Sequence, residues 1–272
     1  MKTLEQTRSW PAENVSAAVV AADGAVLGTA GDQQKRYPLA SVTKLLTAYA
    51  FQVALEEEAV ALDDPTGPDG STIRHLLAHT GGYDFGDRTV RYEPGTRRLY
   101  SNAGFEVLGE HLEAATGIAF ADYLSEAVLV PLGMKDTALV GSPAAGAVST
   151  AADLSRFAAE LQAPSLVSAG SLSTATSVVF PGLTGVLPGF GRQAENDWGL
   201  GFEIRNGKSP HWTGGSNSPR TFGHFGQSGT FLWVDPELKT AAVALTDRAF
   251  GPWAAETWPA FNDALVAELR ER

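Results

Sequence analysis

Cysteine is absent from this sequence. The protein therefore has no disulfide bonds, no thiolate metal ligands and no cysteine nucleophile. The absence fits a reducing compartment, where disulfides are rare. The N-terminal segment Met1–Trp10 also lacks the apolar core of a signal peptide. Together these two features predict a cytoplasmic protein.

Long apolar runs and an excess of basic residues are missing as well. No run approaches the roughly 20 residues that a transmembrane helix needs, so we expect no membrane span. The 20 Lys and Arg residues stand against 31 Asp and Glu residues, which gives a formal net charge of -11. Without a basic stripe or arm to neutralise phosphates, we expect neither nucleic acid nor an anionic membrane surface as a partner.

The sequence does have enough apolar residues for a sizeable core, since 44% of its 272 residues are hydrophobic and 19% are charged. Strands are predicted towards both ends of the chain, at Val15–Ala21, Ala25–Gly28, Gly199–Arg205, Thr221–Val234 and Thr240–Thr246. Helices are predicted at about Ser41–Glu58, within Ser71–Gly82, and at Ala103–Thr116, Ala119–Val130, Ala151–Gln162, Ser168–Ser177 and Trp253–Arg270. The predicted fold is α+β: an antiparallel sheet flanked by N- and C-terminal helices, with an inserted and mostly helical subdomain.

This order of elements predicts two subdomains with a cleft between them. Residues 1–64 and 181–272 would form the sheet subdomain, and residues 65–180 the helical one. A stretch rich in Pro, Gly and Asp, Asp63–Gly70, marks the first connection. We expect the active site in the cleft.

The segment Ser41-Val42-Thr43-Lys44 leads into a stretch that is apolar nearly all round. Residues three apart lie on one face of a helix, so the Ser41 hydroxyl and the Lys44 amine can meet without help from the rest of the fold. A lysine shielded from water can lose enough basicity to take the serine proton at neutral pH. The alternative is that Ser41 caps the helix and Lys44 is an ordinary surface lysine.

Two later clusters carry further candidates. In Tyr100-Ser101-Asn102, a tyrosine near cations could lose or relay a proton, and the asparagine carboxamide could bind a carbonyl or Lys44. The alternative is an Asn102 helix cap and a packed Tyr100. In Gly223–Gly229, glycines in a strand often mark the close approach of a ligand, and an edge strand could offer an N–H group to an oxyanion. The alternatives are a bulged strand with a surface His224, and a competing histidine, His211, in a loop.

His75 and His79 are four residues apart in a predicted helix, as metal-binding pairs often are. No acidic residue lies between them and no third ligand is evident nearby. We therefore interpret them as packed, hydrogen-bonded structural histidines and expect neither a metal nor a cofactor.

The three clusters occur in a fixed order: Ser41-Val42-Thr43-Lys44, Tyr100-Ser101-Asn102 and His224-Phe225-Gly226. In this the chain resembles the serine β-lactamase and penicillin-binding-protein superfamily. The Tyr-x-Asn form of the second motif points to the branch of class C β-lactamases, D-alanyl-D-alanine carboxypeptidases and β-lactamase-fold esterases. Supporting matches are Arg74–Gly82, Pro94–Thr96 and Pro131–Met134.

The resemblance implies a role for each motif residue. Ser41 would be the acylated nucleophile, and Lys44 and Tyr100 would share the proton transfers, with either as the general base. Asn102 would orient the acyl group and Lys44. The backbone N–H groups of Ser41 and Gln227 would form the oxyanion hole, with substrate contacts from the His224–Gly226 motif.

His224 stands where class C β-lactamases carry lysine. Histidine is mostly neutral at pH 7, so binding of a substrate carboxylate there should weaken. We therefore expect a hydrolase of small esters or amides. The alternatives are a β-lactamase, D-alanyl-D-alanine carboxypeptidase or D-aminopeptidase of the same chemistry, and a catalytically silent penicillin-recognising module. Four aromatic residues could either line an apolar pocket or pack in the core: Trp198, Phe202, Trp212 and Phe225.

Overall fold

The structure, a computed structural model, describes residues 1–272. Its strands are β1 (Val15–Ala21), β2 (Val26–Ala30), β3 (Tyr37–Pro38), β4 (Ala138–Leu139), β5 (Ala147–Ser149), β6 (Gly185–Leu187), β7 (Gly191–Gln193), β8 (Glu203–Ile204), β9 (Phe222–Gly226), β10 (Thr230–Asp235) and β11 (Thr240–Thr246). Its α-helices are α1 (Thr43–Glu56), α2 (Ile73–Leu77), α3 (Asn102–Thr116), α4 (Phe120–Leu124), α5 (Ala151–Glu160), α6 (Ala169–Ala175) and α7 (Pro252–Arg270). No helix has both the length and the apolar character needed to cross a membrane.

A six-stranded antiparallel sheet forms the centre of the molecule, in the order β2-β1-β11-β10-β9-β8. It joins the two ends of the chain, because β1 pairs with β11 from Val15 opposite Thr246 to Ala21 opposite Thr240. The predicted α+β architecture is confirmed. The subdomain boundaries at residues 64 and 181 stay a prediction.

Both faces of the sheet are covered by apolar side chains, because successive residues of a strand point to opposite faces. In β10, Leu232 and Val234 belong to a core cluster of 45 buried residues that also contains the apolar residues of α1. Phe231 and Trp233 belong to a second cluster of 16 buried residues, which packs against α7. Helix α1 is therefore buried from Thr43 to Ala54, as its apolar sequence predicts.

Several predicted elements differ from the structure. The predicted strand Thr221–Val234 is two strands, β9 and β10, joined by a tight turn that ends at Gly229 with a φ of 79°. The predicted helix Ala119–Val130 changes to a π-helical turn at Ser125–Leu129. The strand predicted at Gly199–Arg205 shrinks to β8, and the hairpin of β6 and β7 was not predicted. The middle of the chain also contributes to a small sheet in the order β3-β5-β4.

Candidate active site

Ser41 lies in one turn of 3-10 helix, Ala40–Val42, directly before α1. The predicted helix start at Ser41 is therefore two residues too early, and no side chain caps α1. Ala40 has a φ of 45°, in the left-handed region that residues other than glycine seldom adopt. Residues with strained backbone conformations of this kind are found more often at functional sites than elsewhere. The sharp bend at Ala40 places Ser41 at the wall of a cavity rather than in the core.

Lys44 is fully buried one turn further along the chain. Its Nζ donates hydrogen bonds to Asn102 Oδ1 at 2.6 Å and to the carbonyl oxygen of Ala144 at 2.9 Å. Burial lowers the pKa of Lys44 well below its ordinary value of 10.5, and the charge of Glu106 opposes this only in part. Lys44 is thus a core lysine, and not the surface residue of the alternative interpretation.

The number of acceptors around Lys44 Nζ fits a neutral amine. An ammonium group has three N–H donors and no lone pair, whereas a neutral amine has two donors and one lone pair. Asn102 and Ala144 take two donors, and the rings of Tyr100 and Phe105 face the nitrogen, with centroids 4.7 Å and 5.5 Å from Nζ. Nζ has no third hydrogen-bond acceptor in the protein.

Tyr100 lies between Lys44, Ser41 and His224. Burial raises the pKa of Tyr100 above its ordinary value of 10, and the hydroxyl of Ser41 beside it opposes the rise. The phenol is therefore protonated at neutral pH. Its oxygen lies 3.3 Å from His224 Nε2.

The hydrogen bonds of His224 fix its tautomer. Nδ1 lies 2.6 Å from the carbonyl oxygen of Phe225, which can only accept, so Nδ1 carries the proton. Nε2 is then the acceptor of the Tyr100 hydroxyl. Burial, and next the charge of Lys44, lower the pKa of His224 to about 3. His224 is a neutral, buried residue, and not the surface histidine of the alternative interpretation.

Glycine at position 226 allows β9 to approach the turn that carries Ser41. A Cβ on Gly226 would lie 2.3 Å from the carbonyl oxygen of Leu39 and 2.6 Å from Oγ1 of Thr230. The Thr230 hydroxyl donates to the same carbonyl oxygen at 2.9 Å. The next residue, Gln227, has a backbone N–H that donates to no group of the protein. This N–H is therefore available to a ligand beside Ser41.

A cavity of about 160 Å³ collects most of the predicted residues. Five of them line it: Ser41, Tyr100, Asn102, His224 and Gln227. Lys44 and Gly226 do not line it. Of the four aromatic residues left open between pocket wall and core packing, Trp198 and Phe225 line the cavity. Phe202 belongs to the first core cluster, and Trp212 belongs to the second together with Phe225. Sequence reasoning missed Phe85, Leu187, Pro188 and Glu203, for which no motif gave a signal.

The second motif is anchored by Ser101 and not by Asn102. The Ser101 hydroxyl accepts the N–H of Gly104 at 3.1 Å and so caps α3, which corrects the predicted alternative of an Asn102 cap. The Asn102 side chain is therefore free for Lys44. Because its Oδ1 accepts from Lys44, its amide group is the part left for a ligand.

His75 and His79 make separate contacts that fit the structural interpretation. His79 is buried between Tyr100 and Trp198, with ring centroids 4.5 Å away in both cases, and its Nδ1 accepts the Ser101 N–H at 3.2 Å. His75 stacks on Phe180 at 4.7 Å. His79 is thus part of the aromatic support behind Tyr100.

Glu203 joins the cavity wall to a buried network. Its carboxylate accepts hydrogen bonds from Lys208 Nζ, from His211 Nε2 at 3.0 Å and from Trp212 Nε1 at 2.9 Å. Burial acts to raise the pKa of Glu203, but His211 and Lys208 outweigh it and hold the pKa well below its ordinary value of 4.5. His211, the competing candidate, thus belongs to this network and does not line the cavity.

Comparison with known proteins identifies the family. The family model described as Beta-lactamase matches residues 12–266, nearly the whole chain. The chain belongs to the beta-lactamase family. The resemblance drawn from the three motifs is therefore confirmed, and most members of this family are serine hydrolases.

One solved member of the beta-lactamase family is similar over its full length. A structure described as a β-lactamase from Mycobacterium bovis is 56% identical, has a TM-score of 0.96, and is matched over 98% of this chain and 99% of that one.

Curated relatives are more distant. Penicillin-binding protein 4* of Bacillus subtilis is 28% identical over 134 residues, which are 37% of this chain and 30% of the relative. D-alanyl-D-alanine-carboxypeptidase/endopeptidase AmpH of Escherichia coli is 29% identical over 142 residues, 39% of this chain and 37% of the relative. The match therefore spans about a third of the length of these two relatives.

Proposed function

We propose that this protein is a serine hydrolase that forms an acyl-enzyme on Ser41 and acts on small carboxylic esters or amides. The observation that carries the proposal is the environment of Lys44: a fully buried amine with two hydrogen-bond acceptors, three residues after a serine that lines a cavity. Burial lowers the pKa of Lys44 well below 10.5, which makes its amine a better general base towards neutral pH.

In the proposed reaction Lys44 Nζ takes the proton of Ser41 as Oγ attacks the carbonyl carbon. The negative charge moves to the carbonyl oxygen, where the backbone N–H groups of Ser41 and Gln227 stabilise it. The Tyr100 hydroxyl protonates the leaving oxygen or nitrogen, and Lys44 returns a proton to Tyr100. Water then attacks the ester on Ser41, and the same groups act in reverse order.

Lys44 is a better general base here than Tyr100, although the motifs alone leave both open. Burial lowers the pKa of Lys44 and raises that of Tyr100, so the amine loses its own proton at a lower pH than the phenol does. The Tyr100 hydroxyl donates to His224 Nε2, and rotation of the hydroxyl about its C–O bond would turn the same proton towards the leaving group. Tyr100 therefore fits a proton donor and relay.

The neutral state of His224 supports esters and amides without a carboxylate at the reaction centre. A buried imidazole with a pKa of about 3 offers no positive charge to such a group.

The names of the relatives favour a second candidate, a β-lactamase or D-alanyl-D-alanine carboxypeptidase activity. Rates with a chromogenic cephalosporin, a D-alanyl peptide and an aryl acetate should rank the aryl ester first. The cytoplasmic location also stays a prediction.

Covalent labelling tests the proposal directly. Incubation with an aryl ester should give a burst of phenol, and intact-mass spectrometry should find one acyl group per chain, mapped to Ser41 after digestion. Ser41→Ala should lose the burst, the adduct and at least about 1,000-fold of the turnover. Ser228→Ala, a serine in the turn after β9, is the matched control and should keep all three. A wild-type protein that no ester, penicillin or fluorophosphonate labels would instead support the silent binding module.

The pH dependence of kcat/KM should follow the deprotonation of the Lys44 amine. Because only the neutral amine accepts a proton, kcat/KM for an aryl ester should rise with pH through the lowered pKa of Lys44 and then level off. The charge of Glu106 raises that pKa, so Glu106→Gln should move the midpoint to lower pH. Glu110→Gln, one turn further along α3, should leave it in place. A midpoint that responds equally to both substitutions would contradict this assignment.

A further inference from the structure

A second, larger cavity adjoins the catalytic cavity. Phe85, Tyr100 and Pro188 line both, so the two are neighbours. The catalytic part, about 160 Å³, has room for roughly five water-sized groups, which is little more than a scissile bond and its substituents. The second part is about 370 Å³, and the two together reach the size of ordinary ligand pockets, about 300–1,000 Å³. We call this second part the outer groove.

Apolar side chains are exposed along the outer groove. Phe85 is 53% exposed, Tyr92 is 41% exposed and Val186 is 59% exposed, and all three line it. Single exposed apolar residues are normal, but three around one groove mark a binding surface. Phe85 also stacks on Tyr100, with ring centroids 5.8 Å apart, so the apolar surface reaches the catalytic phenol.

The outer groove is also positively charged, in a protein whose net charge is -11. Arg97 and Arg192 line it and are exposed, and no Asp or Glu lines it. Neither arginine forms an ion pair, whereas the nearby Arg88 pairs with Glu110 and Arg91 with Asp84. Two unpaired guanidinium groups beside an apolar surface favour an anion at the end of an apolar chain.

One of the two arginines packs on an aromatic ring, and the other lies in a strand. The guanidinium of Arg97 lies over the ring of Tyr92, 4.9 Å from its centroid, which leaves the N–H edge of the guanidinium free. Arg192 lies on β7, directly opposite Val186 on β6. The floor between them is fixed by the buried Arg98, which donates to the carbonyl oxygens of Ala78, Val179, Phe180 and Asn196.

We propose that the outer groove binds the part of the substrate remote from the scissile bond, and that this part is an apolar chain ending in a carboxylate. The proposal rests on the ester or amide hydrolysis proposed above. In this proposal the substrate has no charged group beside the neutral His224. Its carboxylate lies at the far end of the apolar chain, in the outer groove with Arg97 and Arg192. The substrate class is then esters or amides of ω-carboxylated chains.

Two matched series of aryl esters test the proposal, one of simple fatty acids and one of ω-carboxylated acids of equal length, from four to ten carbons. Above a threshold length, kcat/KM should be higher for the carboxylated series. Arg97→Gln and Arg192→Gln should each reduce this preference by about threefold to tenfold. Arg220→Gln, an exposed arginine at a different cavity, is the control and should change neither series. The preference should also weaken as salt is added.

A preference for neutral esters at every length, or a carboxylate preference that survives in the double variant, would overturn the proposal. Binding to the Ser41→Ala protein separates this outcome from a failure of the proposed function. By calorimetry, ω-carboxylated octanamide should bind more tightly than octanamide, and Arg97→Gln with Arg192→Gln should remove the difference. Equal binding of the two amides would reject the anionic groove even if ester hydrolysis is established.

Discussion

Replacing Lys44 with methionine should lower kcat/KM for an aryl ester by about 1,000-fold or more, because it removes the proposed general base. Lys44→Arg should be equally inactive, since a guanidinium keeps its proton at all accessible pH values. A residue that acted only as a cation would tolerate arginine. Steady-state and single-turnover rates, measured at the pH plateau of the wild type, check this expectation.

Controls must separate lost chemistry from lost structure in the Lys44 variants. Lys135→Met, at an exposed lysine, should keep wild-type rates. Thermal unfolding and tryptophan fluorescence report whether the fold persists. Methionine leaves Asn102 Oδ1 and the Ala144 carbonyl oxygen without their donor, so some loss of stability is expected. Activity of the Lys44→Arg variant within tenfold of wild type would exclude Lys44 as the base.

Replacing Glu203 with glutamine should reduce the free energy of unfolding by about 3–5 kcal/mol, because it leaves a buried Lys208 charge unpaired. Lys208 donates to the Glu203 carboxylate and to the carbonyl oxygens of Asp197 and Ile204, which satisfies all three of its N–H groups. Glutamine also turns an amide group towards the N–H donors of His211 or Trp212. Urea denaturation followed by tryptophan fluorescence measures the change.

The matched control for Glu203→Gln is Glu237→Gln, at an exposed carboxylate, which should change stability by no more than about 0.5 kcal/mol. Adding Lys208→Met to Glu203→Gln should restore much of the loss, since removing both members of a buried ion pair is often nearly neutral. The wild type should also lose stability as pH falls below about 4.5, because the carboxylate pKa is lower in the folded state than in the unfolded state. If the double variant is no more stable than Glu203→Gln, the ion pair is not the cause.

Short-range geometry was the part of the site most readily predicted from the sequence. Ser41 and Lys44 are three residues apart, so helical spacing alone places them on one face. The contact between Tyr100 and His224 spans 124 residues, and only the family resemblance assigned these two residues to one site. The lining by Phe85 and Val186 was missed, because both lie in or beside irregular segments whose positions depend on tertiary contacts.

The prediction of one strand at Thr221–Val234 was wrong for a different physical reason. The predicted strand includes Gly226-Gln227-Ser228-Gly229, which the structure shows as the end of β9 and a turn. Fourteen residues is long for a strand, and the Ser228-Gly229 pair is a turn signal. The consequence matters for function, since the turn is what exposes the Gln227 N–H beside Ser41. Lys44 and Lys208 are both buried, but Lys44 donates to a side-chain amide and Lys208 to a carboxylate. No local sequence pattern reveals these hydrogen-bond partners.

The fixed tautomer of His224 makes its imidazole a spectroscopic reporter of the catalytic centre. Nitrogen-15 labelling should give one protonated and one bare ring nitrogen, and this pair of resonances should persist from mildly acidic to alkaline solution because the pKa is about 3. The bare nitrogen faces the Tyr100 hydroxyl. A change in its resonance on acylation would therefore follow the phenol proton during turnover, without any group being added to the protein.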